Sequence, residues 1–540
     1  MIMKVSLGLL LGLSSVFIFQ SGSFAQIEGN LPEVRQVSFK NDTCNIVKFG
    51  ARADGIFLNT TAINNAINAC HQSGGGVVLV PEGLWLTGPL ELKSNVNLHL
   101  AKNSILEFTR DFNQYKLVAS NWEGVPQMRN QSPISAIKQT NIAITGHGVI
   151  DGNGDAWRMV KKTKLNSSQW KNLVASGGVL SEDQKTWYPS EKSLKGSLLK
   201  NPGYISNAKD SSFYESIKDF FRPNMIFLSE CKVILLEGVT FQNSAAWNIH
   251  PLMCEDLTVK KIYAKNPWYA QNGDGIDIES CKNVLVEGSV FDVGDDGICI
   301  KSGRDKAGRE RGMPSENIFI KDCTVYNAHG GFVIGSEMSG GAKNIYVQDC
   351  SFIGTDIGLR FKTTRGRGGV VENIFIRNIF MKDIPGEAIL FDMYYAAVDP
   401  VPMAGEVRVA PKVEKLPVTE ETPQFKNFFV DNVVCNGASR AVFIRGLPEM
   451  NIQNINLKNM VIQSRKGIDI SEADWVKLTN VKVITRVTDP VVDILNSRNI
   501  SFDKLEIKKG IPVVFRLAGD RTAKISVIHS DIPFTQKLAE

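Results

Sequence analysis

Cys281-Lys282-Asn283-Val284-Leu285-Val286-Glu287 returns as Glu316-Asn317-Ile318-Phe319-Ile320-Lys321-Asp322 and again as Lys343-Asn344-Ile345-Tyr346-Val347-Gln348-Asp349. Further copies are Glu372-Asn373-Ile374-Phe375-Ile376-Arg377-Asn378 and Lys426-Asn427-Phe428-Phe429-Val430-Asp431-Asn432, with weaker ones near Val233, Asp256, Asn454, Trp475 and Asn499. Most copies stand 21 to 34 residues apart, and the 54-residue interval from Asn373 to Asn427 holds a long loop at about 400–424. Within each unit, short segments alternate apolar and polar residues with the period of a strand, broken by Gly, Asn or Asp; helical periodicity is absent. A strand set recurring at this interval marks a solenoid whose coils stack strand on strand. A leucine-rich repeat would show fixed Leu spacing, and a propeller would need four-stranded blades of about forty residues. The expected fold is all-β, a right-handed parallel β-helix: a single-stranded solenoid of about ten coils.

A second strand series fixes the coil register. It runs Gly275-Ile276-Asp277-Ile278, Gly297-Ile298-Cys299-Ile300, Gly331-Phe332-Val333-Ile334 and Gly358-Leu359-Arg360-Phe361-Lys362, and continues at Ala388, Ala441 and Gly467. The first and third residues after each small one are apolar and face the core, so the alternate ones face out. One groove is then paved by Asp277, Glu279, Cys299, Lys301, Val333, Arg360, Lys362, Leu390 and Asp392. Residues 155–220 interrupt the pattern with Trp157, Trp170, Trp187, Tyr188, Tyr204 and Tyr214. They read as an irregular or helical insertion over one face.

The chain starts Met1-Ile2-Met3-Lys4, runs apolar to about Phe19 and reaches Ser23-Phe24-Ala25. Residues 1–25 read as an export signal peptide, too short and wrongly flanked for a membrane span. Residues 26–540 are then one β-helix domain, periplasmic or extracellular, without a membrane anchor and expected to act as a monomer. A net charge of +5 without a polybasic arm gives no support to nucleic-acid binding. The nine cysteines include Cys231, Cys254, Cys281, Cys323 and Cys350 at coil spacing, which predicts stacked small buried side chains. No CxxC or Cys/His cluster suggests zinc. Cys44 and Cys70 could form a disulfide.

Aligning Gly275, Gly297 and Gly331 puts Asp274 and Asp296 in one register on neighbouring coils, and Asp295 and His329 in the register before it. Stacked strands lie about 4.8 Å apart, so three carboxylates and an imidazole converge, with Arg360 and Lys362 one coil beyond. Asp and Gly also make plain turns, but not turns that bring four such groups together beside a basic strand. Glycoside hydrolysis uses one protonated carboxyl and one ionised carboxylate. Crowding three of them forces at least one pKa upward.

These residues resemble glycoside hydrolase family 28, the polygalacturonase family, and the likeness spans nearly the whole chain after the signal. The family's Asn-Xaa-Asp motif stands as Asn272-Gly273-Asp274, Gly-Asp-Asp as Gly294-Asp295-Asp296, Gly-His-Gly as Ala328-His329-Gly330 and Arg-Ile-Lys as Arg360-Phe361-Lys362. The resemblance implies an acidic, pectin-type polysaccharide or oligosaccharide as substrate and no metal or organic cofactor. It also implies that Asp295 is the general acid, Asp274 and Asp296 hold the water, and His329 assists. Arg360 and Lys362 would bind a substrate carboxylate, with Asn272, Lys301, Glu337, Arg365 and Arg367 as further contacts and Arg304 as another plausible one. Gly335-Ser336-Glu337-Met338-Ser339-Gly340-Gly341 and Arg365-Gly366-Arg367-Gly368-Gly369 are similar to the exo-acting branch. The insertion, with the long loop at about 400–424, would wall off one end of the groove and offer aromatic rings to sugars. Competing readings are a rhamnogalacturonan- or xylogalacturonan-type hydrolase, a calcium-dependent pectate lyase using the three Asp, and a non-catalytic polysaccharide-binding β-helix.

Overall fold

The computed structural model describes residues 32–205, 209–396, 411–511, 513–532 and 536–538; the export signal read at residues 1–25 and the loop residues 400–410 lie outside them. From Pro32 onward the chain is one compact unit. Its strands form a right-handed parallel β-helix in which each strand pairs with its counterpart one coil earlier and one coil later. The repeated phrase makes one strand stack, passing through Lys282–Glu287, Ser315–Lys321 and Ala342–Ile353. A second stack carries the Gly-opened series, with Ile276 level with Ile298, Ile298 with Phe332, Phe332 with Leu359 and Leu359 with Ile389. All five are fully buried in one continuous core. Small residues open these strands because the core has no room there: a Cβ on Gly331 would lie 2.3 Å from the Phe352 ring.

The repeated Asn is structural. Asn283, Asn317, Asn344, Asn373, Asn427 and Asn454 all have positive φ, which Asn tolerates better than other side chains. Each amide from Asn317 onward donates to the Asn carbonyl one coil earlier, over 2.8 to 3.3 Å. Tyr346, Phe375 and Phe429 stack beside this ladder at 5.3 and 5.2 Å. Two further rungs lie upstream at Asn95 and Asn141, bonded to each other at 3.0 Å, so the solenoid runs further than the ten copies read from sequence. The expected cysteine stacks are present, with Cys231, Cys254, Cys281, Cys323 and Cys350 buried. Cys44 and Cys70 are unbridged thiols, and burial beside Cys44 pushes Cys70 up to about 12.

One helix lies ahead of the repeat units read from the sequence. Thr60–Gln72 is an α-helix whose Ala62, Ile63, Ala66, Ile67 and Cys70 are buried against the first strands. A solenoid exposes its core at its end, and this amphipathic helix covers it. Among the described residues no helix is long and apolar enough to cross a membrane.

The insertion contains helices Ser167–Ala175, Glu191–Ser197 and Ser211–Glu215 and a small antiparallel sheet of Val160–Lys161, Thr186–Tyr188 and Val179–Leu180. Several of its aromatics hold it together and are not offered to sugars. Trp157 packs edge-on against Tyr115 at 5.1 Å, Tyr214 joins Phe221, and Trp187 is 7% exposed. A hairpin that the sequence reading did not single out, Leu117–Trp122 with Val125–Asn130, stands beside it, and Gln127 bridges to Tyr204.

Candidate active site

The strands Ile276–Glu279, Asp296–Lys301, Gly330–Ile334 and Leu359–Lys362 are neighbours in the stack. Their leading turns bring Asp274, Asp295 and Asp296 together, each offering an oxygen within 4.8 Å of the others. Asp296 is held from both sides: Arg360 Nη1 donates to Oδ1 at 2.8 Å and Lys362 Nζ to Oδ2 at 2.7 Å, all three side chains being buried. Asp295 Oδ1 lies 3.2 Å from His329 Nδ1. Its Oδ2 accepts from the backbone N–H of Asn272 at 3.1 Å, and Oδ1 from the N–H of Asp296 at 3.0 Å. Arg222, not singled out from the sequence, fixes the turn before Asp274 by donating to the Asn272 side-chain oxygen at 2.9 Å and the Gln271 carbonyl at 2.8 Å.

The environments divide the carboxylates. Burial, with Asp277 and Asp295 nearby, pushes Asp274 well above the usual carboxylate range. Burial acts upward on Asp295 too, but His329, Lys362 and Arg360 overcome it and hold Asp295 well below that range. Asp296 is also buried and is likewise held low by Lys362 and Arg360. Burial lowers His329, yet Asp295 more than compensates and raises it above 6.5. Crowding and burial therefore push Asp274 toward its neutral form, while Asp295 and His329 each favour the charged form of the other. The three Asp could in principle gather a cation, but both oxygens of Asp296 already face cationic side chains, which makes the cluster a poor calcium cage.

A chamber of about 250 Å³ opens over these groups, lined also by Glu123, Trp247, Gln271, Asn272, Lys301, Arg304, Glu337, Arg367 and Tyr395. Lys301 lies 3.0 Å from Glu337 and 3.5 Å from Asp277, with its ammonium 4.9 Å above the Trp247 ring. Glu337 is buried but Lys301, Arg367 and Lys362 hold it well below the ordinary range. Tyr395 faces Lys362 at 5.0 Å and Arg360 at 5.8 Å. Of the residues expected here, Arg365 is not in the chamber; it bonds Glu449 at 2.6 Å and the Glu414 carbonyl at 2.8 Å. The outward strand positions do not pave an open groove either. Asp277, Glu279, Cys299 and Val333 are fully buried, and Asp392 is paired with Arg445 at 2.7 Å. Glu279 instead bonds Arg311 at 2.6 Å and so ties down the helix Asp305–Arg311 that covers this face. A small recess beside the chamber joins Asp295 and His329 to Met159, Lys161 and Lys164 of the insertion.

Missing from the sequence reading were Glu123, Trp247, Gln271, Tyr395 and Arg222. Each stands in a loop or on a strand outside the aligned series, so no periodicity marks it. An aromatic beside an acidic residue and a glycine, as in Trp122-Glu123-Gly124, was the only local signal.

A model of glycosyl hydrolases family 28 matches residues 206–410, which hold every residue lining the chamber except Glu123. A second, described as rhamnogalacturonase A/epimerase, pectate lyase-like, matches residues 43–204. The solved exopolygalacturonase of Thermotoga maritima is 30% identical with a TM-score of 0.69, the likeness covering 85% of this chain and 96% of that one. The exo-poly-alpha-D-galacturonosidase of Dickeya chrysanthemi is 27% identical over 81% of this chain and 70% of its own length. A probable polygalacturonase of Vitis vinifera is 28% identical over 65% of this chain, which spans 63% of that relative's length. With an acid cluster at the coil register the motifs required, and a structural match running almost end to end along a relative of that identity, the chain is a glycosidase and belongs to glycosyl hydrolases family 28.

Proposed function

We propose that the protein is an exported exo-acting polygalacturonase, hydrolysing galacturonate linkages at the ends of pectic chains with inversion. The observation that carries this is the chamber itself. The carboxylates share about 250 Å³ with Lys301, Arg304, Arg360, Lys362 and Arg367, a cationic lining suited to uronate carboxylates. That volume lies just below the range usual for small-ligand pockets and leaves room for about one or two sugar rings. One end is closed: the hairpin tip at Gly124 accepts a hydrogen bond from the Arg304 N–H at 3.2 Å. In this reading the hairpin, with Tyr204 from the insertion, makes the wall that was expected of the insertion and the loop at about 400–424.

In this reading Asp295 donates the proton to the leaving oxygen. Its pair with His329 carries that proton, and a sugar covering the pair removes water and favours the neutral form, in which the carboxyl holds it. The spacing of the acids is shorter than the 6.5–9.5 Å typical of inverting enzymes and by itself resembles a retaining site. Inversion is favoured because neither partner suits covalent attack: Asp296 is tied to two cations, and Asp274 is buried and raised. A water held between them is the better nucleophile, with ionised Asp296 taking its proton. The match of residues 43–204 to the rhamnogalacturonase model favours a second reading, but it covers coils before the acid cluster.

Digestion of polygalacturonate tests the proposal. Mono- or disaccharide should appear early with little fall in viscosity. A rapid viscosity drop with mixed oligomers would refute exo action, and an ultraviolet-absorbing unsaturated product lost on chelation would make the protein a lyase.

A further inference from the structure

The closed end of the chamber is built with more care than a steric wall needs. The hairpin turns at Glu123 and Gly124, both with positive φ, the geometry of a tight two-residue turn. Gly124 is obligatory there on two counts: its φ is +79°, and a Cβ would lie 2.5 Å from the Arg304 nitrogen. Trp122 stacks on Trp247 at 5.3 Å, and the Arg129 guanidinium lies 3.9 Å above the Trp122 ring. Arg311 also donates to the Gly124 carbonyl at 3.3 Å. The tip is therefore locked, and it aims one side chain at the chamber. Glu123 Oε2 accepts from Arg304 Nη1 at 2.9 Å, while 33% of the Glu123 side chain stays accessible. Arg304 Nη2 is steadied in turn by the Tyr204 hydroxyl at 3.2 Å. Burial and the nearby Glu337 raise Glu123, against the pull of Arg304 and Lys301.

We infer that Glu123 and Arg304 read the free hydroxyls of the non-reducing terminal sugar, making the wall a chain-end sensor. This rests on the exo-acting reading above. In a galacturonate chain the bond joins C1 of one sugar to O4 of the next, so O4 lies across the ring from the carbon under attack. With the attacked carbon over Asp274 and Asp296, the O4 of that sugar, or of the one behind it, points away from the acids toward the far wall. On a chain end O4 is a hydroxyl able to donate to Glu123 and accept from Arg304. Inside a chain it carries another sugar, which the locked tip excludes.

The test uses the full-length protein and two oligogalacturonides of equal length. One has an intact end; the other has a 4,5-unsaturated end, which lacks the C4 hydroxyl. A hydrogen bond to a charged group predicts that wild type cleaves the intact oligomer about tenfold to a hundredfold better in kcat/KM. Glu123→Ala and the near-isosteric Glu123→Gln should lose activity on the intact oligomer while that preference falls toward one. Equal cleavage of both oligomers by wild type overturns the inference without any variant. So does a preference that survives in both variants while wild type still releases only short products. Internal cleavage of polymer by wild type would instead bring down the exo reading and this inference with it.

Discussion

Replacing Lys362 with Met tests how the acid cluster is kept ionised. Lys362 and Arg360 each hold one oxygen of Asp296, at 2.7 and 2.8 Å, in a region where all three side chains are nearly inaccessible. Removing one partner of a buried pair costs about 3–5 kcal/mol, because the remaining charge is left without compensation. Arg360 stays in place, so the loss should fall near the lower end, about 3 kcal/mol. The decisive comparison is the double variant Lys362→Met with Asp296→Asn. A neutral amide needs no ammonium beside it, so removing Lys362 should cost much less stability in the Asp296→Asn background than in wild type, while activity stays abolished. Thermal melting and urea denaturation of wild type, both single variants and the double variant supply the cycle. Because a solenoid can unfold in parts, the single and double variants are compared with each other under identical conditions. A Lys362→Met cost as large in the Asp296→Asn background as in wild type would show that neutralising Asp296 is not what Lys362 does.

Three further outcomes are expected. Asp295→Asn should lower kcat about a thousandfold while substrate binding persists, since proton donation contributes roughly 10² to 10⁴; near-normal turnover would remove Asp295 from that role. The alkaline limb of activity should lie above 6.5, because His329 is raised from that value by Asp295. The sign follows from the raised pKa: the ion pair's stabilisation is complete below 6.5 and is lost as pH rises through the folded value, along with the proton the pair supplies. An alkaline limb below 6.5 would contradict it. NMR of the first-formed product should show the inverted anomer, and retention would make one of the crowded carboxylates a nucleophile.

Solenoid architecture and acid cluster were legible for one reason: both follow from a single repeating register. The Asn of the repeated phrase makes the ladder, and the same arithmetic superposes Asp274 on Asp296 and Asp295 on His329. Elements outside the register escaped. The helix Thr60–Gln72 lies ahead of the recognised copies, and its apolar face became meaningful only against an open core end. Glu123 reaches the chamber through a hairpin about 170 residues before Asp295, and no local pattern encodes that docking. Arg365 was misplaced because its Arg-Gly-Arg-Gly-Gly segment leaves the strand, so alternation no longer tells which way a side chain points.

The Asn ladder bears on how such an enzyme can change. Asp274, the Asp295-Asp296 pair, His329, and Arg360 with Lys362 stand on four successive coils, so the spacing between these sets follows the hydrogen-bonding repeat of a sheet. The ladder, bonded rung to rung from Asp256 to Asn454, keeps that repeat uniform. The scaffold acts as a ruler with fixed graduations, and no hinge can retune the spacing. Diversification is left to segments that leave the ruler, such as the hairpin, the insertion and the loop after Asp392. New substrates can be met by exchanging these walls, while the chemistry below them keeps its scale.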